Sequence, residues 1–158
     1  MSTDPDSDSI EMSQSKEMFV SWMRARMKTF ALMGVRLFRG LPPSGEARII
    51  GDQFLRSSLG AASNYRAVCR ARSRAEFFAK LSVTIEELDE SLFWLEILID
   101  SGIVARSETT KFESEGQELV AILSKARRAT LLWLVRPPFG GTFASRVRIG
   151  KIIRCYEG

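Results

Sequence analysis

Apolar residues recur at spacings of three and four along most of this chain, and the breaks in that rhythm divide it into four stretches. The first, about Lys16 to Leu41, carries Phe19, Met23, Met27, Phe30, Met33 and Leu37 on one face, and Pro42-Pro43 forbids its continuation. Ser44 then stands as an N-cap, with Glu46 in the first turn of a second helix. That helix, about Gly45 to Arg72, has Ile50, Phe54, Ser57, Ala61, Asn64, Val68 and Ala71 alternating at steps of four and three. Such a heptad seam with small members lets a neighbouring helix come close. Asn64 on the seam reads as an amide that fixes register.

Ser73-Arg74-Ala75-Glu76 fits a capping box, so a third helix begins at Ser73. It runs on the heptad Leu81, Ile85, Leu88, Leu92, Leu95, Ile99 to about Ser101, where Gly102 supplies a left-handed C-cap. Thr110-Lys111-Phe112-Glu113 resembles a second capping box, opening a fourth helix through Leu119, Ile122, Leu123 and Ala126 to about Arg128. No β-branched alternation argues for a sheet. Short connections make consecutive helices antiparallel, and the expected fold is an all-α, up-down-up-down four-helix bundle over residues 16–128.

Two flanks fall outside this pattern. Residues 1–15 are acidic and serine-rich, with Asp4, Asp6, Asp8 and Glu11, and are expected to be disordered, because they cannot bury enough apolar surface to offset the entropy of ordering. Residues 129–158 place Pro137-Pro138 and Gly140-Gly141 among apolar and basic residues without a sustained period, which predicts low order. The longest uncharged apolar run, near Leu131 to Val135, is far shorter than the roughly 20 residues of a membrane span. The acidic start is unlike a secretory signal, so a cytoplasmic address is expected.

The second and third helices carry more apolar surface than one subunit needs. Leu55 and Leu59 lie off the seam of the second, and Phe93, Trp94 and Ile97 off that of the third. Contiguous exposed side chains of this kind mark a protein interface, and a homo-oligomer is expected to bury them. The competing possibility is that flanking helices and the terminal tail cover them within one chain.

Charge then changes the picture. The net +4 conceals blocks of −4 over residues 1–15, +9 over 16–80, −8 over 81–124 and +7 over 125–158. Arg66, Arg70, Arg72, Arg74 and Lys80 form the densest basic run, beside Tyr65 at the junction of the second and third helices. Guanidinium groups next to an aromatic ring suit a phosphate backbone, and Arg24, Arg26, Lys28, Arg36 and Arg39 could extend the surface. The alternative is that these cations pair with Glu86, Glu87, Asp89, Glu90, Glu96 and Asp100 of the third helix, across helices or subunits.

Catalysis finds little to work with. The chain has no histidine, which removes the commonest general base and metal ligand, and the clustered carboxylates lack the Glu-x-x-His partner of a di-metal bundle. Cys69 and Cys155 have neither metal-ligand spacing nor a disulfide framework around them. No phosphate loop or nucleophile elbow is present, so neither enzyme activity nor a cofactor is expected.

The stretch Ala62-Ser63-Asn64-Tyr65-Arg66-Ala67-Val68-Cys69-Arg70-Ala71-Arg72-Ser73-Arg74-Ala75-Glu76-Phe77 carries a resemblance. It is extended by Ile49-Ile50-Gly51-Asp52-Gln53-Phe54 before it and Glu87-Leu88-Asp89-Glu90-Ser91 and Trp94-Leu95-Glu96 after it. Over about residues 16–128 the chain resembles the bacterial four-helix bundle proteins named for open reading frames in intervening sequences of 23S ribosomal RNA. These are related to the accessory variability protein of diversity-generating retroelements. The resemblance implies a homopentameric ring, basic on part of its surface, with RNA or DNA as a partner; retroelement relatives imply a reverse transcriptase as another. Residues 129–158 have no counterpart in it. Two functions follow as expectations: a non-enzymatic oligomer that binds structured nucleic acid, or a scaffold whose charges serve subunit contacts and a protein partner.

Overall fold

The computed structural model describes residues 5–134, and among them it contains four α-helices and no strand. They are α1 (Pro5–Gly40), α2 (Gly45–Val68), α3 (Arg74–Asp100) and α4 (Arg106–Leu134). Helices consecutive in the chain pack on one another, α2 with α3 most extensively, and α1 also meets α4. The enclosed core holds Met23, Met27 and Phe30 of α1, Phe54 of α2, Leu81, Leu88 and Leu95 of α3, and Phe112 and Leu119 of α4. Phe112 stands at its centre, with the Phe30 ring 4.2 Å and the Phe54 ring 5.0 Å away.

The caps explain where the helices start and stop. Ser44 Oγ accepts from the Ala47 N–H at 3.2 Å, and Ser73 Oγ from the Glu76 N–H at 3.1 Å. The Glu76 carboxylate reaches back to the Arg72 N–H at 2.7 Å. At the end of α3, Gly102 adopts φ +73°, which only glycine takes without strain. There the Ile103 N–H donates to Leu98 O at 3.0 Å and the Gly102 N–H to Ile99 O at 2.9 Å, closing the orphan carbonyls as a Schellman motif.

Several expected boundaries move. The first helix begins at Pro5 rather than near Lys16, so residues 5–15 are helical where disorder was expected. Proline suits the first helical position, and an acidic stretch suits the positive end of the helix dipole. Residues 1–4 lie outside the described residues. α2 ends at Val68 rather than Arg72, because the chain must turn before Ser73 can cap α3; Arg70 N–H to Ala67 O and Ala71 N–H to Val68 O, both 3.1 Å, tighten that turn.

α4 starts at Arg106, one turn before the expected Thr110. Thr110 is therefore inside the helix, its Oγ1 donating to Arg106 O at 3.1 Å instead of capping. The same helix runs past Arg128 to Leu134, where low order was expected, and it buries Thr130 through a hydrogen bond to Ala126 O. The remainder of the expected low-order segment, residues 135–158, lies outside the described residues.

Candidate nucleic-acid interface and apolar faces

The end of α2 and the start of α3 form one corner. Arg66 and Arg70 are exposed there, Arg72 is exposed in the connection, and Arg74 and Lys80 are half-buried along the first turns of α3. Arg24 of α1 belongs to the same corner, because its charge acts on the Cys69 thiol: burial pushes that thiol up, and Arg24, Tyr65 and Arg70 oppose the shift. Tyr65 itself is buried, so it supports the corner from below instead of offering a ring face to a ligand.

The five expected site cations divide by what they touch. Lys80 Nζ lies 3.4 Å from Glu76 Oε1, one helical turn away. That carboxyl is held below the usual carboxylate range by the Arg72 N–H first and by Lys80 second. Arg66, Arg70 and Arg72 enter no ion pair among the described residues, although the Arg72 charge acts on the Glu76 carboxylate from a distance. Arg26, offered as an extension of the basic surface, is committed elsewhere, to Glu115 and Glu118 of α4 and to the Trp22 ring 4.9 Å from its guanidinium.

The expected oligomer residues fall on two faces. On α2, Gly51 faces Phe38 of α1 and Leu41 just beyond its end, whereas Gly60 faces Glu87 of α3. At 100° per residue, Leu55 and Leu59 point about 40° and 80° from the Gly51 direction and about 140° and 100° from that of Gly60, so both lie toward α1. Phe93, Trp94 and Ile97 share the outer surface of α3, the Phe93 and Trp94 rings meeting edge-on at 5.1 Å. Leu59 and Phe93 are 44% and 50% exposed, while Leu55, Trp94 and Ile97 are half-buried. The Trp94 indole N–H donates to Glu90 at 3.0 Å. Phe93 also lines a groove between α3 and α4 with Asp89, Leu92, Glu96, Arg106, Glu113 and Gln117, about 370 Å³ in volume.

A family model described as 23S rRNA-intervening sequence protein matches residues 20–125, which span nearly all of the four-helix core. The chain belongs to this family. A protein of unknown function from the S23 ribosomal protein family of Bacteroides thetaiotaomicron VPI-5482, with a crystal structure at 1.70 Å, is 27% identical. The match covers 66% of this chain and 97% of that one, with a TM-score of 0.62. No curated protein matches the chain.

Among the described residues, no group of three or more histidine, cysteine or acidic side chains is placed to hold a metal ion, and no helix is long and apolar enough to cross a membrane. Sequence reasoning missed the close-packing glycines Gly34, Gly51 and Gly116, which face Ser58, Phe38 and Leu92 across helix contacts. Their only signal was recurrence on the apolar side of each helix, a cue too weak to separate packing from chance.

Proposed function

We propose that this family member is a non-enzymatic, cytoplasmic oligomer that binds structured RNA or DNA by its phosphate backbone through the corner formed by Arg66, Arg70, Arg72, Arg74 and Lys80. The observation that carries this reading is the exposure of Arg66, Arg70 and Arg72 without carboxylate partners among the described residues. Three exposed guanidinium groups outside any ion pair within one corner concentrate positive potential where a polyanion can release counterions. The Tyr65 ring is buried beneath them, and the recognition is electrostatic and blind to base sequence.

Mobility-shift titrations with a structured RNA and a DNA duplex at low and moderate ionic strength test it. Affinity should fall steeply with salt, and Arg66→Ala, Arg70→Ala and Arg72→Ala together should flatten the logarithmic slope by roughly 0.7–0.9 per lost phosphate contact. Absence of binding to either nucleic acid at low salt ends the proposal.

The assembly that goes with this reading is an up-down-up-down bundle repeated around a ring. Antiparallel order is supported by the level of the contacts: Gly34 meets Ser58 and Phe38 meets Gly51, while Arg26 reaches Glu115 and Phe30 reaches Phe112. A ring is supported by the two separate apolar faces, because a head-to-tail interface joins two different patches, whereas a two-fold dimer joins one patch to itself. The number five comes from the family resemblance.

A second reading has one observation in its favour. The exposed Phe93 beside Trp94 on an acidic helix would suit a basic protein partner such as a reverse transcriptase, making the oligomer a scaffold. Arg66, Arg70 and Arg72 would then serve contacts between subunits, and their replacement by alanine would disturb assembly before any nucleic-acid binding.

A further inference from the structure

Every helix brings a cation to one end of the bundle, and those of α4 have no part in the corner described so far. Lys125 and Arg128 are exposed near the C-terminal end of α4, and Arg127 beside them is half-buried. None of the three enters an ion pair among the described residues. At about 100° per residue, Arg128 points within about 20° of Gln117 and Arg127 within about 40° of Glu113. Gln117 and Glu113 line the groove with α3, so the two arginines continue its α4 wall toward the bundle end. The α3 wall changes in step: Phe78 and Ser82 point within about 20° of Asp89, and Glu86 stands one turn farther from the end than Ser82.

With the antiparallel order proposed above, the helix rise of about 1.5 Å per residue sets the level of each cation. Gly116 of α4 meets Leu92 of α3; Arg128 and Lys80 each lie twelve residues from that contact, hence about 18 Å along, at one level. Gly60 of α2 meets Glu87 of α3, and Arg66 and Lys80 lie about 9 Å and about 10 Å from it. Gly34 of α1 meets Ser58 of α2, and Arg24 and Arg66 lie about 15 Å and about 12 Å from it. Cations of all four helices thus share one shallow layer. The opposite end carries Glu96 and Asp100 of α3 with Glu108 and Glu113 of α4. α2 and α4 each pack mainly on α1 and α3 and so sit on a diagonal. With neighbouring axes about 8–10 Å apart and side chains reaching about 5–6 Å from an axis, cations on their outer sides stand roughly 20–25 Å apart. A duplex advances about 3.4 Å per base pair, so that width matches about six or seven base pairs.

We propose, resting on the nucleic-acid reading above, that a duplex lies across this end of the bundle and that Lys125, Arg127 and Arg128 of α4 hold its phosphates together with the α2–α3 corner. The α4 cations widen the footprint from one corner to the full width of the bundle. Arg36 and Arg39, on the far side of the Gly34 contact, stay outside it.

The test is a salt titration of a DNA duplex by fluorescence anisotropy, using the full chain and two triple variants of equal charge. One carries Lys125→Ala, Arg127→Ala and Arg128→Ala; the control carries Arg36→Ala, Arg39→Ala and Lys111→Ala, all exposed and at the opposite end. The α4 variant is expected to lower the logarithmic salt slope by about 2–3, at roughly 0.9 per lost phosphate contact, and the control to keep the parent's slope. Arg127→Lys with Arg128→Lys should keep it too, because a phosphate asks for the charge. Should the α4 variant lose its helical circular dichroism, Lys125→Ala with Arg128→Ala carries the test, both side chains being exposed, with a loss of about 2 expected. A parent slope in the α4 variant, beside a reduced one in the variant lacking Arg66, Arg70 and Arg72, would overturn this inference and leave the corner standing. Equal losses in the α4 variant and the control would overturn it as an effect of net charge alone. Altered sedimentation with an unchanged slope would do so by assigning these cations to a subunit contact. A parent chain that binds no duplex at low salt would overturn it together with the nucleic-acid reading.

Discussion

Arg26 of α1 grips Glu115 of α4 through two parallel hydrogen bonds, Nε to Oε1 at 2.7 Å and one terminal nitrogen to Oε2 at 2.8 Å. Glu118 adds a third oxygen at 2.9 Å. These carboxylates, Glu115 before Glu118, hold the guanidinium's pKa above its ordinary value. The forked geometry is the strong form of an ion pair, and the side chains of Arg26 and Glu115 are mostly shielded from water. It also fastens the pair of neighbouring helices with the sparsest backbone contact in the fold.

Arg26→Ala is therefore expected to destabilise the fold by about 1–3 kcal/mol, the cost of leaving partly buried carboxylates without their donor. Arg26→Lys should recover only part of this, because an ammonium cannot make the fork. Urea unfolding followed by circular dichroism measures both. Equal stability of the alanine variant and the parent chain would show the pair to be ornamental.

Gly34 lies against α2 so closely that an added Cβ would stand 2.9 Å from Ser58 Cβ and 3.5 Å from the Phe112 ring. Ser58 is itself fully buried and donates to Phe54 O at 2.7 Å, so it has little room to retreat. Gly34→Ala should cost about 1–3 kcal/mol as overpacking, even though alanine is the better helix former. A rise in melting temperature would contradict the close approach.

At the start of α3, Ser73→Ala removes an N-cap and is expected to cost about 1 kcal/mol. Glu76 acts at the same place through the Arg72 N–H and Lys80, and its depressed pKa sets the sign of a pH effect. A carboxylate held below its ordinary value contributes stability that is present above that value and lost as pH falls through the folded pKa. Glu76→Gln should therefore melt lower than the parent at neutral pH, and the gap should close as the solution is acidified below about pH 4.

Glu87 has the opposite sign. Its carboxyl is pushed up by burial first, then by Glu90 and Glu86, and it lies over Gly60 with its carboxylate against the α2 backbone. A raised carboxylate binds its proton more tightly in the fold, so stability is favoured at low pH and lost as pH rises through the folded pKa. Glu87→Gln should raise the melting temperature at neutral pH and change it little in acid. A variant less stable than the parent at both pH values would mean the charge itself is needed there.

Much of the fold was legible because it depends on local rules. The Ser44 and Ser73 caps and the Gly102 terminus are settled within a few residues, and the seam positions Phe54, Ala61, Leu81, Leu88 and Leu95 all became core. Thr110-x-x-Glu113 misled for the same local reason. The motif was present, but the helix had already started at Arg106, with Thr109 buried in the first turns beside Phe112. The basic corner was visible as a run of arginines. Which of them remain outside ion pairs was not, because pairing depends on which helices meet.

By itself the sequence determined four helices, most of their core faces, two N-caps and one C-cap, and the segregation of basic from acidic stretches, all consequences of side-chain period and composition. Tertiary structure alone decided that Arg26 belongs to Glu115 while Arg66, Arg70 and Arg72 stay open to solvent, and that Leu55 and Phe93 face different ways. The physical reason is that charge pairing and the sharing of surface fall off within a few ångströms, so they depend on distances between helices that no periodicity along one helix encodes.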